Sequence, residues 1–305
     1  MSGSAVAPAR GREAAAGALR RVAVVVAAVA VLAAAWELYA ALGPVDGAGV
    51  GGVRLLPRAD ERSMPHLGTV LATLGEPEVA VPGARTVGQA VLAGAWTTLR
   101  LALAGWALGA LVGAALAVAM QRLRLLEDGL LPWVVLSQTV PIIALAPVVA
   151  GWGGVLSVGP IAWTPATSVV VISAFLAFCP VAVGLLRGLQ APSALTEELF
   201  TSYAASWRQQ LLRLRLPASL PFVVPALRLA AAQAVVGAIV AEISTGTRGG
   251  IGRLIIEYSQ QATSSPARVH AAVWGAAALG LLVAGLITLA DVALRRSRGT
   301  SGGPA

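Results

Sequence analysis

PATSVVVISAFLAFCPVAVGLL, residues 165–186, is a stretch of 22 residues without a charged side chain. A bilayer core about 30 Å thick is crossed by roughly 20 apolar helical residues, so this stretch alone predicts a transmembrane helix. The rest of the chain agrees, because 57% of its 305 residues are hydrophobic, only 12% are charged and the mean hydropathy is +0.79. An ordinary soluble domain is less apolar than this, and the sequence therefore predicts a multi-pass membrane protein.

Five other stretches have a similar length and composition, which predicts an all-α, polytopic fold with about six transmembrane helices. The first stretch also fits a secretory signal, because Arg20 and Arg21 precede it. Its length, and the presence of Trp36 and Tyr39 where an interfacial aromatic belt would lie, favour an uncleaved helix. The six predicted spans are residues 22–42, 96–120, 130–152, 165–186, 222–242 and 271–294.

The arginines between the spans predict the orientation of the chain in the membrane. Basic residues concentrate in cytoplasmic loops, and here they flank the first, second and sixth spans on one side, so both termini are expected to be cytoplasmic. Their scattering between apolar spans indicates that they set topology, and nucleic acid is not expected as a partner. The arginines concerned are Arg10, Arg12, Arg20, Arg21, Arg122, Arg124, Arg295, Arg296 and Arg298.

The same orientation divides the chain into three parts. Residues 1–94 are expected to form a cytoplasmic tail, the first span and an extracytoplasmic loop; residues 95–295 form the main membrane domain, with a cytoplasmic insert at 187–220. Residues 296–305 form a second cytoplasmic tail. The extracytoplasmic loop covers residues 43–94, and its glycine-rich start, GPVDGAGVGG, is predicted to be a linker because it precedes no strand-turn-helix unit.

Two spans carry packing signals. Gly105, Gly109 and Gly113 repeat every four residues in the second span, which predicts a face for close helix packing, either within the chain or against a second copy. The third span contains prolines that remove backbone donors and should bend it, which lipid tolerates only where protein or a water-filled cavity satisfies the freed carbonyls. These prolines are Pro132, Pro141 and Pro147.

Polar residues inside these apolar spans are candidates for lining a solute path. Gln138 and Thr139 lie beside Pro141, and Gln233 lies within the fifth span. Interhelical hydrogen bonding is an equally good explanation for such groups. Glu242 is the sharper candidate, because an unpaired carboxylate at the bilayer centre costs about 2.5 to 3.5 kcal/mol. Its place near the end of the span leaves two interpretations open, a gate or path residue and a solvated or paired interfacial carboxylate.

The insert at 187–220 carries an amphipathic pattern. Its apolar side chains recur every four residues, which predicts one helix from Ser193 to Arg215 with a single apolar stripe. Pro217 is expected to end this helix and Pro221 to begin the next span. Two interpretations stay open on these residues alone, a helix lying in the headgroup layer and a helix docked in a groove on a partner. The stripe consists of Leu195, Leu199, Tyr203, Trp207 and Leu211.

The stretch ELFTSYAASWRQQLLRLRLP, residues 198–217, resembles the cytoplasmic signature loop of permease subunits in binding-protein-dependent ABC importers. That pattern has a Glu, two small residues, a Gly and a distant Ile-x-Leu-Pro; Glu198, Leu216 and Pro217 match it. Leu199 and Phe200 replace the small residues, Ala204 replaces the Gly and Leu214 replaces the Ile. Three further stretches are similar to the nitrate, taurine and aliphatic sulfonate branch: SQTVPIIALAPVVAGW, FCPVAVGLLRGL and VVGAIVAEISTGTRGGIGRLI, at 137–152, 178–189 and 235–255.

The resemblance covers about residues 97–294 and implies a type I ABC importer transmembrane domain in the cell inner membrane. It implies a permease for a small organic or anionic solute, working with ATPase subunits that bind ATP and Mg²⁺, an extracytoplasmic solute-binding protein and a second permease copy in a homodimer. This chain would then be no enzyme and hold no cofactor. The ATPase-coupling residues would be Glu198, Leu199, Tyr203, Ala204, Trp207, Leu214, Leu216 and Pro217.

The sequence offers little for competing classes of function. It has no Walker P-loop and no H-E-x-x-H motif, so ATP hydrolysis or intramembrane catalysis by this chain is not expected. His66 and His270 lack ligand-spaced companions, and Cys179 is the only cysteine, so no metal site or disulfide is expected. The alternative function is a secondary transporter acting without an ATPase, which would usually show two related halves and midspan ionisable residues.

Overall fold

The computed structural model describes residues 7–50, 53–152, 157–158 and 161–299. Within these ranges five helices are long and apolar enough to cross a membrane, and a bent pair of shorter helices makes a sixth crossing if it is counted as one span. The prediction of an all-α polytopic fold with about six spans is therefore confirmed. Parts of both predicted tails, residues 1–6 and 300–305, lie outside the described residues.

The described helices are α1 (Ala7–Leu42), α2 (Leu67–Thr73), α3 (Val87–Arg122), α4 (Arg124–Leu136), α5 (Ile142–Gly151), α6 (Pro165–Leu189), α7 (Ala194–Ser202), α8 (Trp207–Gln210), α9 (Leu216–Thr245), α10 (Ile251–Gln260) and α11 (Pro266–Gly299). A 3₁₀ turn, Ser137–Thr139, lies between α4 and α5, and a π turn, Leu211–Arg215, joins α8 to α9 in one continuous helix. Two antiparallel hairpins pair β1 (Ala48–Val50) with β2 (Val53–Leu56), and β3 (Ser157–Val158) with β4 (Ile161–Ala162).

Helices α3, α6 and α9 form the centre of the bundle, and small residues let them approach closely. A Cβ atom added to Gly109 would lie 2.7 Å from the Ala174 carbonyl oxygen and 2.8 Å from Ala177 Cβ. Gly105 and Gly113 meet α6 in the same way, one helical turn to either side. The glycine face predicted in the second span is therefore occupied by α6 of the same chain, and it is not available to pack against a second copy.

The direction of the helices sets which segments share an end of the bundle. Gly188 of α6 meets Ser219 of α9, whereas Gly237 of α9 meets α6 at Ser173, so these two helices are antiparallel. The carboxyl ends of α3 and α6 and the start of α9 therefore meet at one end, beside α7. We call this the α7 end. At the opposite end, which we call the α10 end, α2, α3, α10 and α11 share an apolar cluster. That cluster includes Val70, Val87, Ile251, Leu254, Tyr258 and Ala271.

The predicted third span is broken near its middle. Helix α4 and the following 3₁₀ turn meet α5 at an angle of 98°. Val140 has an extended backbone, as a residue before proline prefers, and Pro141 is the N-cap residue of α5. Pro132 and Pro147 lie inside α4 and α5 without ending them. Only one of the three prolines named in the sequence therefore interrupts the span.

Helix α1 is tied to the rest of the chain near its carboxyl end. The Trp36 indole N–H donates to the Pro65 carbonyl at 3.1 Å, and Glu37 accepts from the Leu67 N–H at 3.0 Å. The Tyr39 hydroxyl donates to the Pro57 carbonyl at 2.8 Å, so the predicted belt aromatics bind the loop that follows. Helix α3 begins at Val87, within the residues predicted as loop, and part of the predicted linker forms β1.

Candidate coupling surface and solute path

The insert at the α7 end does not form the single helix predicted from Ser193 to Arg215. Helix α7 ends at Ser202, and a new helix begins at Trp207 with Ser206 and Gln209 capping each other's backbone. Between them Ala204 has φ of 51°, in the left-handed region that an α-helix cannot contain. The prediction that Pro217 ends the helix is also wrong, because the helix that begins at Trp207 continues through it into α9. The wider π turn just before Pro217 relieves the clash between its ring and the preceding turn.

This break divides the predicted apolar stripe into two parts. The part on α7 and the following turn is open to the surroundings, with Leu195, Leu199 and Tyr203 exposed to 78%, 53% and 79%. The part on the next helix packs inward: Leu211 is buried, and the Trp207 indole N–H donates to Gln121 Oε1 at 3.2 Å. The exposed part also borders an open groove of about 510 Å³, which is lined by Leu195, Thr196, Glu198, Leu199 and Ser202.

An ion pair fixes α7 to the start of α9. Arg215 Nη2 lies 2.9 Å from Glu197 Oε1, and Arg215 Nη1 donates to the Leu189 carbonyl at the end of α6 at 3.2 Å. Arg215 therefore holds α6, α7 and α9 together, with its side chain only 14% exposed. The candidate residues predicted from the sequence did not include Glu197 or Arg215 and did include Glu198, which is exposed. Their charges were visible in the sequence, but only the fold shows that the two meet.

The other residues predicted for coupling, Leu214, Leu216 and Pro217, flank Arg215 of this ion pair in the chain. Leu214 and Leu216 are half-buried, and Leu216 packs on the apolar cluster formed by the ends of α3 and α6. Pro217 is exposed. The structure therefore keeps Glu198, Leu199, Tyr203 and Ala204 at the surface and places Trp207, Leu214 and Leu216 between that surface and the bundle.

The path candidates fall into two separate places. Gln138 and Thr139 lie in the 3₁₀ turn and Pro141 follows it, so all three sit at the break of the third span. The Gln138 side-chain amide donates to the Phe175 carbonyl of α6 at 3.4 Å, while Thr139 and Pro141 are exposed. Gln233 is half-buried on α9. Gln138, Thr139 and Pro141 therefore lie at the one place in the described spans where helical backbone is interrupted, whereas Gln233 lies on another helix.

Glu242 lies apart from that break. Its side chain is fully buried near the α10 end, where Thr98 and the Gly252 N–H are hydrogen-bonded to it. Of the solvated or paired carboxylate that the sequence allowed, the structure shows the paired form. Its pairing is provided by hydrogen bonds from neighbouring helices.

Comparison with known proteins identifies the family. Residues 105–298 match the model of the binding-protein-dependent transport system inner membrane component. The chain belongs to this family. The match begins at the first glycine of the α3 face and includes α7, the π turn and the whole of α9 and α10, so the resemblance found in the signature loop is confirmed.

Three relatives are similar to this chain, and two of them are named for different solutes. A formylaminopyrimidine transport permease protein of Halalkalibacterium halodurans is 37% identical over 48% of this chain, and the match spans about half, 54%, of that relative. A probable ABC transporter permease protein of Haemophilus influenzae is 32% identical over 61% of this chain and 76% of its own. A Bacillus subtilis protein named for aliphatic sulfonate transport is 28% identical over 76% of this chain and 81% of that relative.

The left-handed conformation of Ala204 explains why the permease pattern has Gly at this position. An L-residue in this conformation costs roughly 1 to 2 kcal/mol, which glycine avoids. We expect Ala204→Gly to stabilise the α7–α8 turn and Ala204→Val to destabilise it. The measurement is the rate of limited proteolysis between α7 and α8 in purified protein, with Ala205→Gly as the matched control. Equal rates for Ala204→Gly and Ala204→Val would contradict this assignment.

Proposed function

We propose that this chain is the permease subunit of an ATP-driven importer and that α7 and the turn after it are its contact with the ATPase. The observation that carries the proposal is the exposed apolar surface of Leu195, Leu199 and Tyr203, fixed to α6 and α9 by Arg215. An amphipathic helix of this kind fits a hydrophobic groove on a partner. The absence of a P-loop from the sequence supports placing ATP and Mg²⁺ in that partner.

The orientation follows from the same assignment. With the α7 end in the cytoplasm, Arg122, Arg124 and Arg187 lie on the cytoplasmic side, as the distribution of basic residues requires. The α10 end then faces outward and offers its loops to an extracytoplasmic solute-binding protein. Both termini are cytoplasmic in this arrangement.

The solute would pass beside the break of the third span. Gln138, Thr139 and Pro141 lie there, and irregular backbone is tolerated at membrane depth where it lines a cavity or is covered by protein. A second copy of this chain would complete the path from the other side. The solute class is a small organic molecule or anion, consistent with relatives named for a formylaminopyrimidine and for aliphatic sulfonates.

Replacing Leu199 with aspartate tests the contact between α7 and the ATPase. Leu199 is half exposed, so the charge should leave the permease folded, but burial of an unpaired carboxylate in the partner groove would weaken binding. We expect recovery of the co-expressed ATPase with Leu199→Asp to fall by at least about tenfold, or about 1.4 kcal/mol. The measurement is the ratio of ATPase to permease after affinity purification in detergent.

The control for this experiment is Val81→Asp. Val81 is 61% exposed in the loop at the α10 end, so the same charge is added on the other side of the bundle. Its ATPase recovery should equal that of the unaltered chain. Loss of the ATPase in both variants, or in neither, would contradict the assignment of α7 as the contact.

A further inference from the structure

Three helices meet at one buried carboxylate near the α10 end. Thr98 Oγ1 of α3 lies 2.8 Å from each oxygen of the Glu242 carboxylate on α9. The Gly252 N–H of α10 donates to Glu242 Oε2 at 2.9 Å, and the Ile251 N–H donates to Thr98 Oγ1 at 2.9 Å. Glu242 and Thr98 are both 0% exposed. The carboxylate therefore joins α3, α9 and α10 without contact with solvent in this chain.

This arrangement provides the cap that α10 lacks. The residue before α10 is Gly250, which has no side chain to accept a hydrogen bond from the first turn. The first N–H groups of a helix have no partner within it, and leaving them unpaired in apolar surroundings is costly. Thr98 and Glu242 accept those of Ile251 and Gly252, and a carboxylate beside the positive end of the helix dipole is favoured.

The shape of the site excludes a solute. A Cβ atom at Gly250 would collide with the Glu242 carboxylate, and a Cβ atom at Gly252 would lie 3.0 Å from Glu242 Cβ. The backbone of α10 therefore lies directly against this side chain, and Gly252 also meets the backbone of α9, where a Cβ atom would lie 2.5 Å from the Ile239 carbonyl oxygen. A carboxylate enclosed in this way can hold helices together, but it has no open face toward a path.

Helix α10 in turn anchors the loop that covers the α10 end. The buried Tyr258 hydroxyl donates to Glu78 Oε1 at 3.1 Å, and burial raises the pKa of this phenol, so it remains a donor. Glu78 also pairs with Arg85, and the Glu78 carbonyl accepts from Arg268 of α11 at 3.0 Å. We call the hydrogen-bonded group of Thr98, Glu242, Ile251 and Gly252 the Glu242 joint. Through α10 it connects the central helices to the loop around Glu78.

We propose that Glu242 is a positioning residue: with Thr98 it keeps α3, α9 and α10 together as one unit, so that this unit and the loop above it move as a whole when the permease changes state. This inference rests on the proposed function for the source of the movement. It assigns Glu242 to holding these three helices together and not to solute binding.

Thiol labelling at position 254 tests the joint. Leu254 of α10 is 4% exposed and packs in the apolar cluster that α10 shares with α3. Leu254→Cys in a Cys179→Ala background therefore reports separation of α10 from α3. The probe is N-ethylmaleimide, applied to the permease with its ATPase in liposomes, without nucleotide and after trapping with ATP and vanadate. We expect slow labelling in both states. Glu242→Ala should accelerate labelling by at least about tenfold through local opening, whereas Glu242→Gln, which keeps an acceptor for Gly252, should stay within about threefold.

The second pair of variants guards against a folding defect in Glu242→Ala. Thr98→Val removes the hydroxyl and should accelerate labelling, while Thr98→Ser keeps it and should not. Unchanged labelling in both Glu242→Ala and Thr98→Val would contradict the proposed role of Glu242. Rapid labelling of the parent protein after vanadate trapping would also contradict it. If no ATPase associates with the chain, the proposed function fails, but the comparison without nucleotide still decides whether Glu242 holds α10 in place.

Discussion

Replacing Arg215 with alanine is expected to uncouple ATP hydrolysis from the permease while leaving the ATPase bound. The substitution removes the pair with Glu197 and the hydrogen bond to the Leu189 carbonyl, so α7 keeps its exposed apolar surface but loses its tie to α6 and α9. Surface ion pairs contribute about 0 to 1 kcal/mol, and breaking a buried pair costs about 3 to 5 kcal/mol. For this half-buried pair we expect about 2 kcal/mol.

The measurement is ATP hydrolysis stimulated by the solute-loaded binding protein in liposomes, which should fall by at least about tenfold in Arg215→Ala. Arg213→Ala is the matched control, because Arg213 lies in the same π turn with an exposed side chain. Glu197→Gln should lower the stimulation less, because it leaves the hydrogen bond from Arg215 to the Leu189 carbonyl in place. The double variant should be no worse than Arg215→Ala, since that substitution already removes the ion pair. Equal stimulation in Arg213→Ala and Arg215→Ala would refute the role of this ion pair.

Replacing Gly109 with valine is expected to prevent the central bundle from forming. The added Cβ would lie 2.7 Å from the Ala174 carbonyl oxygen, and backbone cannot give way as a flexible side chain would. Overpacking of a close helix contact costs about 1 to 3 kcal/mol, and here the displacement would spread along the whole interface between α3 and α6. We expect little folded protein in the membrane and a lower Tm for what remains.

Gly280→Val is the control, because a Cβ at Gly280 of α11 meets no atom within 4 Å. It should accumulate like the unaltered chain and unfold at nearly the same Tm, measured by fluorescence-detected size exclusion after heating in detergent. A normal Tm for Gly109→Val would show that α3 and α6 are not packed as described.

Much of the architecture was predictable because lipid imposes simple rules on sequence. The uncharged stretch at 165–186 became α6, and the spacing of Gly105, Gly109 and Gly113 correctly indicated close packing. Which helix fills that face could not be predicted, because small-residue spacing carries no information about the partner. The signature loop and the three further stretches together were specific enough to predict the ABC importer permease family, whereas each stretch alone was a weak signal.

The predictions that failed did so for identifiable physical reasons. An apolar residue recurs at every fourth position on both sides of Ala204, and this pattern does not indicate that Ala204 has a left-handed backbone. The role of Glu242 depends on Thr98, which is 144 positions away in the chain, so the enclosure of the carboxylate was invisible to local reasoning. The ion pair of Glu197 with Arg215 was missed because each charge alone suits the helix dipole.

The π turn at Leu211–Arg215 sets the rotational phase between the two halves of the long helix that contains it. One residue of an α-helix corresponds to about 100° of rotation, and a π turn accommodates an extra residue without breaking the helix. Trp207 and the preceding loop are thereby aimed in a direction that α9, continued as an ideal α-helix, would not give them. The side of the bundle that Trp207 faces thus depends on a single helical turn.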